Sequence, residues 1–317
     1  MIRFIKSITG LFLVCSGLAT AAESYLVMEA NSGRVLLAHE SEKKRPIASL
    51  TKVATAKVAL DWAKASGSSL SSYASVPAEA LLFGGPNPMN LRAGSRIQLR
   101  DALYSALLGS DNIAAYTLAD HVGREILLRR QISGDAQATF VHEMNQLAKA
   151  LGMRKTRFYS SHGLDPYRKK NYASSSDLAR LCVHVMRDVG FTFYVKQKNR
   201  SLSVIDPNGE KQTYIVSNTN PLLGQQGVNG IKTGFTTAAG QCIAINANRS
   251  PIIKKIDETK TQIRKRDLIV IILGSNDRIS RARELINTAW PIYDGWAAAG
   301  FPLSPKGNEL IVVPQLH

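Results

Sequence analysis

Two apolar runs flank Asn31-Ser32-Gly33 in "SYLVMEANSGRVLLAHE", an arrangement that predicts a β-hairpin. Behind Pro46 the pattern changes. Ala54, Ala56, Ala59, Leu60 and Ala63 are strong helix formers, and no Gly or Pro intervenes before Gly67, so a helix is expected from about Ser49 to Ala65. From Ser66 to Ser95 the chain is rich in Gly, Ser and Pro ("FGGPNPMNLRAGS") and reads mostly as loop. Helices are expected at Leu99–Leu108, Ile113–His121, Ala136–Leu151 and Ser176–Arg187; in the last, Leu178, Leu181, Cys182 and Val185 repeat at i, i+3, i+4, i+7. Strands then take over, at roughly Gln212–Val216, Gly230–Phe235, Gln241–Asn246 and Asp267–Gly274, before a final helix from Asp277 to about Ala289. Strands at both ends and helices between them predict an α/β sheet built from distant segments, with a helical subdomain (roughly residues 70–190) set against it. No linker, heptad run or repeat divides the chain. One discontinuous unit over residues 22–290 fits better than two domains in series, with 291–317 a short C-terminal extension.

The opening segment, "MIRFIKSITGLFLVCSGLATAA", has the parts of a secretory signal: Arg3 and Lys6 as a basic head, an apolar middle from Ile8 to Leu18, and an A-x-A site at Ala19-Thr20-Ala21. The apolar middle is about half of the ~20 residues that a bilayer span needs. Cleavage after residue 21 and work outside the cytoplasm, in the periplasm or cell envelope, are expected. Cys15 follows the bulky Val14, which argues against lipid attachment there. Cys182 reads as a buried thiol; a bridge to Cys242 is left open, but two cysteines make no disulfide scaffold. The six histidines show no ligand spacing, and "HEMNQ" lacks the second histidine of a zinc helix, so no metal site is expected. The formal net charge is +16, or +14 without Arg3 and Lys6, which favours anionic partners. Basic residues do not interleave with aromatics as a nucleic-acid platform would require, so wall or membrane polyanions come before nucleic acid.

At the head of the first helix, Ser49 and Lys52 stand three apart and so share one face, with Ser49 under the positive end of the macrodipole. The pattern fits a helix start with a solvated lysine, or a nucleophile with its proton acceptor. By itself it decides nothing, because Ser41 and Lys44 repeat it. "GSDN" sets Ser110 and Asn112 after Gly109, a glycine that reads as a helix C′ residue, although Ser110 or Asp111 could simply cap the next helix. "GIKTGFT" sets Lys232, Thr233 and Gly234 on an apolar strand, where the plain reading is an edge strand guarded by a lysine. Each motif alone is more often structural. Their order together, behind a signal-type segment, reverses that weighting.

The combination S-x-x-K, S-x-N and K-T-G resembles the penicillin-binding, active-site-serine family, and within it the low-molecular-mass D-alanyl-D-alanine carboxypeptidases. The resemblance extends from about Ser24 to Ala289 and takes in "YLVMEANSGRVL", "FVHEMNQLAKALGM", "SHGLDP", "SSSDLARL" and "NTNPLLG". It implies a mainly antiparallel five-stranded sheet flanked by helices, no cofactor, and peptidoglycan stem peptides and β-lactams as partners. It also implies roles. Lys52, deprotonated, would take the proton of Ser49; Ser110 would relay protons to the leaving amine; Asn112 would hold the substrate amide. Lys232 and Thr233 would bind the terminal carboxylate, Gly234 would let the chain approach, and the backbone N–H groups of Ser49 and Phe235 would form the oxyanion hole. A lysine near its reference pKa of ~10.4 is a poor base at neutral pH, so desolvation and a second cation, for which Lys232 is available, are expected to lower Lys52.

Some relatives carry an arginine inside the N-x-N segment, where this chain has Thr219. His162 in "SHGLDP" invites a triad with Asp165, but without a G-x-S-x-G elbow it reads as a turn-stabilising residue. The family's C-terminal β-domain and amphipathic membrane helix have no counterpart in the residues after Ala289. A β-lactamase, the alternative, would need a deacylating Glu at E-x-x-x-N spacing beyond S-D-N, and Glu143 supplies no such pair. A D,D-endopeptidase of the same fold stays open, and a wall-binding protein with a vestigial site is opposed by the intact motifs. Finally, "ANRSPIIKKIDETKTQIRKRD" over residues 247–267 reads as an insertion of net charge +4, either a solvated hairpin or a docking element for anionic wall polymer or membrane headgroups.

Overall fold

The computed structural model describes residues 23–164, 169–302 and 310–316. The signal-type segment 1–21 with Cys15, and Asp165, lie outside them. In chain order the elements are β1 (Ser24–Glu29), β2 (Val35–His39), β3 (Arg45–Pro46), α1 (Thr51–Ser66), β4 (Tyr73–Ser75), β5 (Arg96–Gln98), α2 (Leu99–Leu108), α3 (Asn112–Arg130) and α4 (Ala136–Ala150). They continue with β6 (Tyr172–Ala173), α5 (Ser175–Met186), α6 (Val189–Val195), β7 (Asn199–Ile205), β8 (Lys211–Ser217), β9 (Val228–Thr236), β10 (Gly240–Lys255), β11 (Thr261–Ser275) and α7 (Arg278–Ala298).

The main sheet has the order β2-β1-β11-β10-β9 and is antiparallel throughout. Its central strand, β11, carries the unbroken apolar run Leu268–Leu273, every residue of it buried. Both faces are covered, so alternation gives way to continuous hydrophobicity. Ile269, Ile271 and Leu273 join Leu26, Met28 and Ala244 in the core shared with α1 and α5, whereas Leu268, Val270 and Ile272 join Val27, Ile243 and Ile245 under α7. This is the expected fold class: an α/β, mainly antiparallel five-stranded sheet flanked by helices.

Several element boundaries differ from the sequence expectation. The final helix does not stop near Ala289; it runs to Ala298 with Pro291 inside it, so the expected boundary at residue 290 falls within α7. Proline removes one helical hydrogen bond, at a cost of about 3 kcal/mol. Burial of Trp290, Tyr293 and Trp296 against the sheet offsets that loss, since each large aromatic is worth roughly 1.5–3 kcal/mol. The last described stretch also packs on the molecule: Ile311 is buried and its N–H donates to the Gly33 carbonyl at 2.8 Å. The strand expected at Gln212–Val216 is β8, which belongs to a separate four-stranded sheet, β4-β5-β7-β8, beside the helices. Helix α3 extends past His121 to Arg130, and α6 was not foreshadowed by periodicity. Cys182 and Cys242 are both free and buried, which closes the question of a bridge between them.

Candidate active site

The chain enters α1 through a single 3-10 turn, Ala48–Leu50, in which Ala48 and Leu50 are buried and Ser49 is partly exposed. Ala48 holds a φ of 46°, a conformation that costs an L-residue energy and that sits directly before the candidate nucleophile. One turn on, Lys52 is fully buried. Its Nζ lies 2.9 Å from Ser49 Oγ, 2.7 Å from Asn112 Oδ1 and 2.7 Å from the His162 carbonyl oxygen. The second S-x-x-K pair is elsewhere: the Ser41 carbonyl accepts from Ser176 N–H, and Lys44 lies over the ring of Tyr172.

Asn112 arrives from the turn between α2 and α3. Gly109, expected in a left-handed conformation, has φ −78°; it is needed because a Cβ there would stand 2.7 Å from Pro88 Cγ and Val216 Cγ1. The left-handed residue is Ser110, at φ 60°. Asp111, not Ser110, caps α3: its Oδ1 accepts from the N–H groups of Ile113 (2.9 Å) and Ala114 (3.0 Å), and its Oδ2 from Ser105 Oγ. That cap sets Asn112 in the first position of α3, with Nδ2 donating to the Gly84 carbonyl at 3.1 Å and Oδ1 left to face Lys52.

The third motif lies on β9, the outer strand of the main sheet. Lys232 is not a solvated edge lysine. It is buried, and its Nζ donates to the Thr233 carbonyl at 3.0 Å. Thr233 Oγ1 and Thr219 Oγ1 are 2.6 Å apart. Gly234 is where β9 meets the 3-10 turn: a Cβ there would come within 3.0 Å of Ser49 N. Phe235 follows, with its side chain largely exposed. The structure therefore gathers Ser49, Lys52 and Asn112 in direct contact, holds Ser110 in the turn beside Asn112, and places residues 232–235 against the Ser49 turn.

Two participants were not read from the sequence. His162 contributes its carbonyl oxygen to Lys52, a contact that no side-chain pattern reveals; its ring Nδ1 accepts from Leu164 N–H at 3.1 Å, the turn-holding role expected of it. Arg278 donates from Nη1 to the Gly234 carbonyl at 2.7 Å. A signal for it existed. An arginine in the first position of a helix faces the positive end of the dipole, an unfavourable place without another task.

Burial pushes Lys52 down to about 7, opposed by the nearby Asp111 carboxylate. Lys232 is also pushed well below the usual lysine range, first by burial and then by the charges of Lys52 and Arg278. Desolvation, one of the two expected causes, is the larger for both lysines, and the repulsion between Lys52 and Lys232 disfavours both being charged together. Burial and the neighbouring Lys52 take the His162 ring to about 3, so it is neutral at physiological pH. Glu143, the one acid weighed for a deacylating role, is paired with Arg130 at 2.9 Å on the α3–α4 surface. Among the described residues no cluster of His, Cys, Asp and Glu could hold a metal ion.

Comparison with known proteins places this arrangement. A D-alanyl-D-alanine endopeptidase of Pseudomonas aeruginosa is 33% identical over 237 residues, 73% of this chain and 69% of that protein. The D-alanyl-D-alanine carboxypeptidase DacA of Escherichia coli is 30% identical over 71% of this chain, which spans about half (53%) of that longer relative. Among solved structures, the Streptomyces K15 DD-transpeptidase superposes with a TM-score of 0.71 at 26% identity, covering 86% of this chain and 97% of that one. Penicillin-binding protein D2 of Listeria monocytogenes, in an ampicillin-bound form, gives 0.61 at 26% identity over 90% of this chain and 99% of that one. The family model described as D-alanyl-D-alanine carboxypeptidase matches residues 14–255, and the chain belongs to that family of serine peptidases.

Proposed function

We propose that the chain removes the terminal D-Ala from peptidoglycan stem pentapeptides through an acyl-enzyme on Ser49, and that penicillins acylate the same oxygen. The observation that carries this reading is the set of three contacts at Lys52 Nζ. Two of the partners, Asn112 Oδ1 and the His162 carbonyl, can only accept hydrogen bonds. A neutral amine has two N–H groups and one lone pair. With both N–H groups committed, the lone pair is left for the Ser49 hydroxyl at 2.9 Å. A lysine held near 7 is neutral often enough to act as that base.

The chemistry then follows. Ser49 Oγ attacks the carbonyl carbon of the penultimate D-Ala as its proton passes to Lys52 Nζ. The oxyanion is received by the N–H groups of Ser49 and Phe235. Collapse breaks the C–N bond, and the leaving D-Ala amine takes a proton relayed by Ser110 Oγ. Water, deprotonated by neutral Lys52, hydrolyses the ester. Asn112 holds the substrate amide, Gly234 permits close approach, and Lys232 and Thr233 take the terminal carboxylate. For Thr233 to donate to a carboxylate, Thr219 must be the donor within their 2.6 Å hydroxyl pair. Thr219 thereby orients Thr233 in place of the arginine of some relatives.

Peptide mapping after penicillin treatment tests the assignment: the added mass should fall on Ser49, and an adduct on Ser110 or Ser41 with Ser49 unmodified would refute it. Digestion of muropeptides followed by mass spectrometry distinguishes loss of a terminal D-Ala from cutting of cross-links; the endopeptidase name of the Pseudomonas aeruginosa relative makes cross-link cleavage the second reading.

Asp111 gives a test of the base. Its carboxylate stabilises the ammonium form of Lys52, so Asp111→Asn should lower the lysine pKa and move the acid limb of the acylation rate to lower pH than in the parent protein. An acid limb that stays in place or moves upward would show that another group is titrating. Asn caps a helix as well as Asp, so a stability loss on the order of 1 kcal/mol should come from the Ser105 hydrogen bond to Oδ2, which an amide NH2 cannot accept.

The signal-type opening supports work outside the cytoplasm after cleavage, and among the described residues no helix is long and apolar enough to cross a membrane. The basic 247–267 segment supports electrostatic contact with an anionic surface.

A further inference from the structure

Strand β10 pairs with β9 only as far as Ala247, and β11 with β1 only as far as Leu268. Asn248 and Asp267 still bond the backbones of Gly227 and Ala30, and beyond them the two strands pair with each other, from Arg249↔Arg266 to Lys255↔Thr261. At about 3.4 Å per residue this ribbon can reach roughly 25 Å past the sheet. A fixed turn closes it: Asp257 Oδ1 accepts from Thr259 N–H and Oγ1 and from Lys260 N–H.

The two faces of the ribbon differ. On one, Ile252 packs toward the α7 core and the Arg264 guanidinium lies 3.4 Å from the centre of the Phe301 ring. Arg249 and Arg266 are also occupied, both paired with Asp294 and both over Trp290. Much of the segment's charge is therefore spent inside the molecule. On the other face, Ile253 and Ile263 are direct cross-strand partners and each is 66% exposed. Lys255 and Lys265 share that face by strand alternation and are exposed; Lys254, opposite Gln262, falls on the Ile252 face, and Lys260 lies in the turn. Among the described residues neither Lys255 nor Lys265 has an ion-pair partner.

We propose that this outer face is a docking surface for an anionic lipid bilayer: the Ile253–Ile263 pair enters the headgroup boundary while Lys255 and Lys265 meet lipid phosphates. Charge alone would suit any polyanion, including wall polymer. The paired isoleucines favour lipid, because a hydrated polymer offers nothing to bury them, whereas a membrane interface accepts apolar side chains below a layer of phosphates. Long lysine stems let the amines stay at headgroup level as the isoleucines sink.

The test is co-sedimentation of the full chain with vesicles, so that its apolar opening residues are common to every variant. Vesicles of phosphatidylglycerol and phosphatidylcholine in equal parts are compared with phosphatidylcholine alone, at low and high salt. Binding should require phosphatidylglycerol and weaken with salt. Ile253→Ser with Ile263→Ser should reduce it on the order of tenfold or more. Penicillin labelling of the double variant should equal that of the parent, which reports an intact catalytic fold. Loss of binding on changing Lys255 and Lys265 to Gln, with no effect of the isoleucine pair, would overturn the lipid assignment in favour of a general polyanion site. Equal binding by the parent and both variants would overturn the docking surface altogether.

Discussion

Lys52→Arg should lose penicillin acylation by roughly three to four orders of magnitude while keeping its positive charge, the upper range for loss of a positioned general base. The guanidinium stays protonated at any pH the protein tolerates and has no lone pair for the Ser49 proton. It is also too large for a site where Nζ already touches three oxygens within 2.9 Å. Rapid-quench labelling with penicillin measures the rate, and thermal denaturation separates lost chemistry from lost folding. In the parent protein the same rate should rise with pH through about 7, as Lys52 loses its proton, and then level. Substantial acylation by the folded arginine variant, or a parent rate that falls across that interval, would remove Lys52 from the role of base.

The second large effect comes from a residue that carries no chemistry. Gly163 has φ 90°, and a Cβ there would stand 2.1 Å from the Ala48 carbonyl oxygen and 3.1 Å from Ser49 N. Both are backbone atoms of the turn that presents the nucleophile, so no side chain can swing aside to make room. Gly163→Ala must therefore displace either the Ser49 turn or the loop that gives Lys52 the His162 carbonyl. A misplacement of about 1 Å can cost on the order of a hundredfold in rate, and acylation should fall by at least that much. Stability should drop by more than the ~1–3 kcal/mol of backbone strain alone. Gly152→Ala is the control: its φ of 70° carries the strain, but nothing lies within 4 Å of the added Cβ. If the two variants acylate equally fast, the 160–164 loop does not hold the site.

Much of the fold could be read from local pattern. Helix α2 was expected over the residues it occupies, Leu99–Leu108, and α4 and α5 within one residue at each end. Their apolar periodicity and their caps, Asp135 for α4 and Ser174 for α5, are written within a few neighbouring positions. Where the structure departs, distant packing overrules the local signal. Pro291 reads as a stop, yet α7 passes through it because Trp290, Tyr293 and Trp296 bury against a sheet assembled from both ends of the chain. The extra length of β10 and β11 agrees with the hairpin reading of residues 247–267, in which each strand supplies the other's hydrogen bonds.

The candidate catalytic pair and the two companion motifs were legible because each is a local statement. A serine and a lysine three apart on a helix share a face whatever else the chain does, and S-x-N and K-T-G mark a turn before a helix and a strand. What those residues can do was decided only in three dimensions. In the proposed mechanism Lys52 can serve as the base because Asn112 and the His162 carbonyl, 60 and 110 residues away, take two of its contacts and the surrounding core excludes water. Arg278 reaches the Gly234 carbonyl across 44 residues, and Thr219 reaches Thr233 across a chain turn. Sequence period encodes which face of an element a side chain occupies. Desolvation and hydrogen-bond partnership depend on which faces are brought together, and that is set by the packing of the whole molecule.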